Sequence, residues 1–117
     1  MSNIKIDTLN EVIPYLLLIG TSARLTETKQ FYIKERMHLR IGKVFLRAEW
    51  THDERFIANL SYALSSLVYT QNQIALEVVK MREELLRLLA AYKHFSNVKI
   101  VVESGCSLIS NLCYSNS

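Results

Sequence analysis

Residues 51–95 read THDERFIANLSYALSSLVYTQNQIALEVVKMREELLRLLAAYKHF. Apolar side chains recur there in alternating steps of three and four: Ile57, Leu60, Leu64 and Leu67, then Ile74, Val78, Met81, Leu85, Leu88, Tyr92 and Phe95. Gln71 alone occupies a slot where the repeat asks for an apolar residue. No Gly or Pro lies between Trp50 and Gly105, so the spacing predicts one long amphipathic helix. Thr51 and Glu54 form a capping box at its start, and Asp53 and Glu54 suit the positive end of the helix dipole.

Length limits how such a helix can be housed. Unbroken from His52 to Lys93, it would span about 63 Å at about 1.5 Å per residue. A compact domain of this size measures roughly 35 Å across. Either the helix bends near Thr70-Gln71-Asn72-Gln73, or its far half packs on another chain. The stripe therefore has two readings, a core face lying on a sheet or an association surface. Val68, Ala75, Val79, Leu86 and Leu89 widen it beyond a two-stranded seam, which suits a multi-helix bundle. In a bundle Gln71 is a specificity device, or else the point where the helix meets water.

Upstream of this stretch, Ile4-Lys5-Ile6 reads as a short strand. Asp7 or Thr8 then caps a helix carrying Leu9, Val12, Ile13, Leu16 and Leu17 and ending near Gly20. Pro14 fits it best within the first turn, because an interior proline costs about 3 kcal/mol. Thr21–Thr28 reads as a loop. From Gln30 to Trp50 the period changes to two. Phe31, Ile33, Met37, Leu39 and Ile41 alternate with Tyr32, Lys34, Arg36, His38 and Arg40, and Val44, Leu46, Ala48 and Trp50 resume after Gly42-Lys43. This predicts a hairpin with a two-residue turn, Ile41 opposite Val44 and Leu39 opposite Leu46. Val98–Glu103 reads as a last strand.

The 117 residues, half of them apolar with only three Gly and one Pro, make one ordered domain with a real core. We assign residues 1–103 to that domain and 104–117 to a flexible Ser/Asn-rich tail. The net charge of +3 is unevenly placed. Lys29, Lys34, Arg36, Arg40, Lys43 and Arg47 face only Glu35 and Glu49 within residues 28–50, whereas acids and bases balance from Thr51 onward. The positive, partly aromatic hairpin face (Tyr32, Lys34, Arg36, His38, Arg40, Phe45 and Arg47) is either a solvated sheet face that discourages aggregation or a surface that follows a phosphate backbone without reading bases.

Signals for catalysis are few. There is no Gly-rich phosphate loop and no paired-His metal motif, and Glu103-Ser104-Gly105-Cys106-Ser107 is only loosely like a nucleophile turn. His38, His52 and His94 sit on different elements, and Glu83 and Glu84 read as solubilising. Cys106 and Cys113 match no zinc spacing and read as reduced thiols. No leader or membrane span is evident, Tyr15–Ile19 being far too short. These features lead to expectations of a cytoplasmic, non-enzymatic protein without cofactor or metal and without membrane contact.

The order strand, helix, hairpin, long helix resembles the small dimerisation subunit family of the KEOPS complex, which makes threonylcarbamoyladenosine in tRNA and whose relatives include cancer/testis antigens. The stretch that carries the likeness is Gly42-Lys43-Val44-Phe45-Leu46-Arg47-Ala48-Glu49-Trp50-Thr51-His52-Asp53, continuing through Glu54-Arg55-Phe56-Ile57. Ala58 and Ala63 stand where members often carry Arg and Asn, and Lys80–Phe95 runs past the usual end. The resemblance implies an α+β fold, a small antiparallel sheet (strand–helix–strand–strand–long helix) with helices packed on one face. It also implies a non-catalytic assembly subunit of a tRNA-modifying complex. Such a subunit pairs with itself or a paralogue, docks by its helices on the catalytic threonylcarbamoyl-transferase subunit, and helps to bind tRNA. Phe56, Ile57, Leu60, Leu64 and Leu67, continued by Ile74, Val78, Met81 and Leu85, would form the protein interface. Lys34, Arg36, Arg40, Lys43 and Arg47 would contact RNA. The alternative is a stand-alone helical homo-oligomerisation module with no nucleic-acid role.

Overall fold

The computed structural model describes residues 8–45 and 49–115. Among them there are seven helices and no strand: α1 (Leu9–Ser22), α2 (Thr26–Lys34), α3 (Met37–Phe45), α4 (Glu54–Val68), α5 (Asn72–Val79), α6 (Arg82–His94) and α7 (Lys99–Ser115). The expected α+β fold with an antiparallel sheet is thereby corrected to an all-α one. The Ile4–Ile6 strand expectation lies outside the described residues.

The fold is organised around α4. Asp53, rather than Thr51, caps it: the carboxylate accepts from the backbone N–H of Arg55 at 2.9 Å and of Phe56 at 3.1 Å, satisfying two of the donors a helix start leaves open. Trp50, folded back by a turn in which the Asp53 N–H bonds its carbonyl, packs its ring 5.5 Å from that of Phe56. Most of α4 is buried, including Phe56, Ile57, Leu60, Leu64 and Leu67, with one stripe through Arg55, Asn59, Tyr62 and Ser66 left exposed or half-buried. A helix with so broad a buried face sits at the centre of its domain, and its small residues Ala58, Ser61, Ala63 and Ser65 let neighbours approach closely. α1 and α7 pack along its length, and the shorter helices close the remaining sides.

The length conflict is resolved within the chain. The expected long helix stops at Val68, restarts at Asn72, and breaks again at Lys80–Met81. The first break falls in the polar run around Gln71, where Thr70 adopts φ 59°, a left-handed conformation costly for a β-branched residue. The resulting body measures 34 × 33 × 23 Å, so no helix needs a second chain to cover its length.

Up to Phe45 the expected Gln30–Trp50 hairpin is replaced by α2 and α3, and residues 46–48 of its second strand lie outside the described residues. Its alternation was degenerate with a helical one. Ile33, Met37 and Ile41 are two-residue steps that also recur every four, and the residues α3 buries are Met37, His38, Ile41 and Gly42, a helical face. Gly42 is not a turn glycine. Its φ is not positive, as a two-residue hairpin turn would require, and a Cβ there would collide with the Met81 thioether end. It is the point of close approach between α3 and the α5–α6 junction.

At the other end, the Val98–Glu103 strand expectation is also corrected. Those residues open α7, and residues 104–115, expected to be a flexible tail, continue it. Val101, Gly105, Leu108 and Leu112 are buried at helical spacing. α1 runs past Gly20 to Ser22 with Thr8 as its N-cap, and Pro14 lies inside it on the exposed side.

Candidate ligand cleft

An open polar cleft of about 520 Å3 lies where α2, α4 and α7 meet, lined by Arg24, Lys29, Tyr62, Ser65, Ser66, Tyr69, Ser107 and Asn111. Its floor is a network between α4 and α7. The Ser65 and Ser107 hydroxyls are 2.8 Å apart, and the Asn111 amide donates to the Ser65 carbonyl at 3.1 Å and to the Ser65 hydroxyl at 2.8 Å. These bonds satisfy polar groups that burial would otherwise penalise and fix the register of α7 on α4. One wall is the Tyr62 ring, which packs directly against α1 at Gly20, where a Cβ would overlap its edge.

Lys29 enters from α2. It is only 9 % exposed, rare for a lysine without a carboxylate partner. Its ammonium donates to the Tyr69 carbonyl at 3.2 Å and lies 5.4 Å from the centroid of the Tyr69 ring. α4 carries no basic residue in its own last turn, so Lys29 supplies the cation that the negative end of the dipole favours. Thr70 Oγ1 also donates to the Tyr69 carbonyl, at 2.6 Å, and the left-handed Thr70 backbone holds that carbonyl in place. Burial lowers the Lys29 pKa from its ordinary value, because desolvation disfavours the charged form. Among the described residues Lys29 makes no salt bridge, and no carboxylate lines the cleft. Arg24, in the α1–α2 turn, is exposed at the rim.

The residues expected to contact RNA do not share a face of a sheet. Lys34 is exposed at the end of α2, and Lys43 is exposed in the last turn of α3. Arg36 sits in the α2–α3 turn with φ 55° and pairs with Glu77 at 3.1 Å. Arg40 is half-buried on α3, and Arg47 lies outside the described residues. Arg36 and Lys43 line an open depression with Lys80 and Arg82, interleaved with Glu77, Glu83 and Glu84, a surface of mixed sign rather than a positive stripe.

Beneath it, fully buried His38 places Nε2 2.8 Å from Glu77 Oε1, and its buried Nδ1 has no hydrogen-bond partner among the described residues. Desolvation lowers the His38 pKa, with the Arg36 charge adding to it, against the opposing pull of Glu77. The His38 hydrogen bond in turn holds the Glu77 carboxyl below its usual range.

Of the expected interface residues, Phe56, Ile57, Leu60, Leu64, Leu67, Ile74, Val78 and Met81 are buried in this chain, and Leu85 is partly buried against the same core. Their spacing is accounted for by intrachain packing. Cys106 and Cys113 are free and exposed on α7. No group of three or more His, Cys, Asp or Glu among the described residues could hold a metal ion, and no helix there is long and apolar enough to cross a membrane.

Sequence reasoning did not single out Arg24, Tyr62, Tyr69 or Asn111, and counted Lys29 only in a local excess of charge. The cleft joins residues about forty positions apart, such as Lys29 with Tyr69 and Ser65 with Asn111, and no local motif announces such a pairing. A scan against protein-family models and searches of curated proteins and of solved structures each gave no match, so the function of the cleft is argued from its geometry.

Proposed function

We propose that this chain is a non-catalytic, all-helical binding module that takes an anionic ligand in the cleft between α2, α4 and α7. The observation that carries the proposal is Lys29, a lysine only 9 % exposed whose ammonium, among the described residues, has no carboxylate partner and meets just the carbonyl and ring of Tyr69. A buried charge is costly unless paired, and a single carbonyl neutralises it only in part. An anion in the cleft completes the pairing, with Arg24 closing over it from the rim. The lining supports binding rather than turnover: it holds no carboxylate, imidazole or thiol, the groups that most often move protons near neutral pH. The tRNA-complex role implied by the resemblance rested on an order of strand and hairpin that the described residues do not adopt, so the cleft alone supports the present reading.

The test is a titration of the full chain with inorganic sulfate at low ionic strength, followed by backbone amide NMR. The expected result is a set of saturable shifts at Lys29, Ser66, Tyr69 and Asn111, abolished in Lys29→Met and weakened in Arg24→Gln. Shifts spread over surface lysines, or unchanged in both variants, would refute it.

A further inference from the structure

Charge and free donors narrow the class of anion, on the premise that the cleft binds an anion at all. Two cations, Arg24 and Lys29, face a lining with no acidic residue. A carboxylate, a sulfate ester or a bridging phosphodiester brings one negative charge and leaves one of the two cations uncompensated. A phosphomonoester brings about −1.5 to −2 at neutral pH, with three strong acceptor oxygens. The donors to meet them are present. Lys29 spends one N–H on Tyr69, and the Ser66 and Tyr62 hydroxyls make no hydrogen bond among the described residues, whereas Ser65, Ser107 and Asn111 are occupied with one another. The free donors and both charges thus line the same cleft. At about 520 Å3 the cleft is the size of a small-molecule site and exceeds what a phosphate alone fills. The Tyr62 and Tyr69 rings flank the remaining space with the flat, polarisable surface that suits an aromatic group.

We propose that the ligand is a small phosphomonoester carrying an aromatic group, its phosphate held between Arg24 and Lys29 and its ring beside Tyr62 and Tyr69. Arginine grips such a phosphate in bidentate fashion, while the buried lysine acts as a point charge.

Isothermal titration of the full chain with phenyl phosphate, phenyl sulfate and inorganic phosphate tests this. Phenyl phosphate and phenyl sulfate share one shape and differ in charge at pH 7.5. Phenyl phosphate is expected to bind at least tenfold more tightly than phenyl sulfate at that pH. Its advantage should disappear by pH 5, below the second phosphate pKa of about 6. Inorganic phosphate should bind several-fold more weakly than phenyl phosphate. Lys29→Met should erase the preference. Should that variant fail to fold, Arg24→Gln at the exposed rim should weaken phenyl phosphate at least fivefold without altering the circular dichroism spectrum.

Equal binding of phenyl sulfate and phenyl phosphate, both dependent on Lys29, would overturn the phosphomonoester assignment and leave the anion cleft standing. Inorganic phosphate binding as tightly as phenyl phosphate would overturn the aromatic part. No binding of any of the three would overturn both this inference and the reading it rests on.

Discussion

Truncating Leu108 to alanine separates the helical account of the C-terminal segment from the expectation that it is a loose tail. Leu108 is 1 % exposed in α7, a helix that packs mainly on α4, with buried Gly105 and Leu112 a turn to either side. Leu108→Ala removes a fully desolvated isobutyl group and leaves a cavity that the rigid pair of helices can only partly fill, costing about 3 kcal/mol. A chain of this length has a total stability of about 6–17 kcal/mol, so the loss is a large share of the whole. With an m-value of about 1–3 kcal/mol/M in urea, the unfolding midpoint should fall by about 1–3 M. Cys113→Ser, an isosteric change at an exposed site of the same helix, should stay within about 0.5 kcal/mol of the parent. The assay is urea denaturation followed by far-UV circular dichroism. A Leu108→Ala midpoint no lower than that of Cys113→Ser would refute the packing of α7 on α4 and restore the flexible tail.

Two further outcomes follow from the turns and the buried histidine. Thr70→Gly relieves the left-handed backbone between α4 and α5 and should stabilise the chain by about 1 kcal/mol; a lowered melting temperature would show that the Thr70 hydroxyl bond to Tyr69 outweighs the strain. Stability should also fall on acidification. The fold holds His38 below its ordinary value of 6.5, so the unfolded chain takes up the proton first and stability drops as pH falls through about 6.5, with Glu77 adding a loss below its ordinary 4.5. Urea midpoints from pH 8 to pH 4 should show this slope. His38→Gln should flatten the part above pH 5, and an unchanged slope in that variant would assign it to another group.

What could be read from the sequence was whatever depended on neighbours three and four residues away. The apolar spacing from Ile57 to Phe95 marks the stretch as helical, but as one long helix; its division into α4, α5 and α6, with a second break at Lys80–Met81, is not legible in that spacing. The mismatch between a 63 Å helix and a 35 Å domain left two outcomes open, a bend near Gln71 or packing of the far half on another chain, and the chain takes the first, with a break at Tyr69–Gln71. The hairpin failed because Ile33, Met37 and Ile41 satisfy a period of two and a period of four equally, and charge on alternate positions tipped the reading toward a sheet. α7 was missed because the β-branched run Val98–Val102 suggested a strand, while the Ser and Asn residues that follow hid the spacing of Val101, Gly105, Leu108 and Leu112. Those same polar residues, Ser107 and Asn111, turn out to be the α7 contribution to the cleft floor. Lys29 had no legible role, because the carbonyl and ring its ammonium meets belong to Tyr69, forty positions away.

The placement of α4 has a consequence for synthesis. Its first flanking helix, α1, is made before it, but its second, α7, follows about 50 residues later. At about 5–20 residues per second, roughly 2–10 s pass between completion of α4 and arrival of the helix that covers its other side. For that interval the nascent chain presents the surface destined for Val101, Leu108 and Leu112 with nothing to cover it. Final folding must therefore wait for α7, and a ribosome stalled before α7 would display a partly closed, sticky intermediate of the kind that chaperones bind.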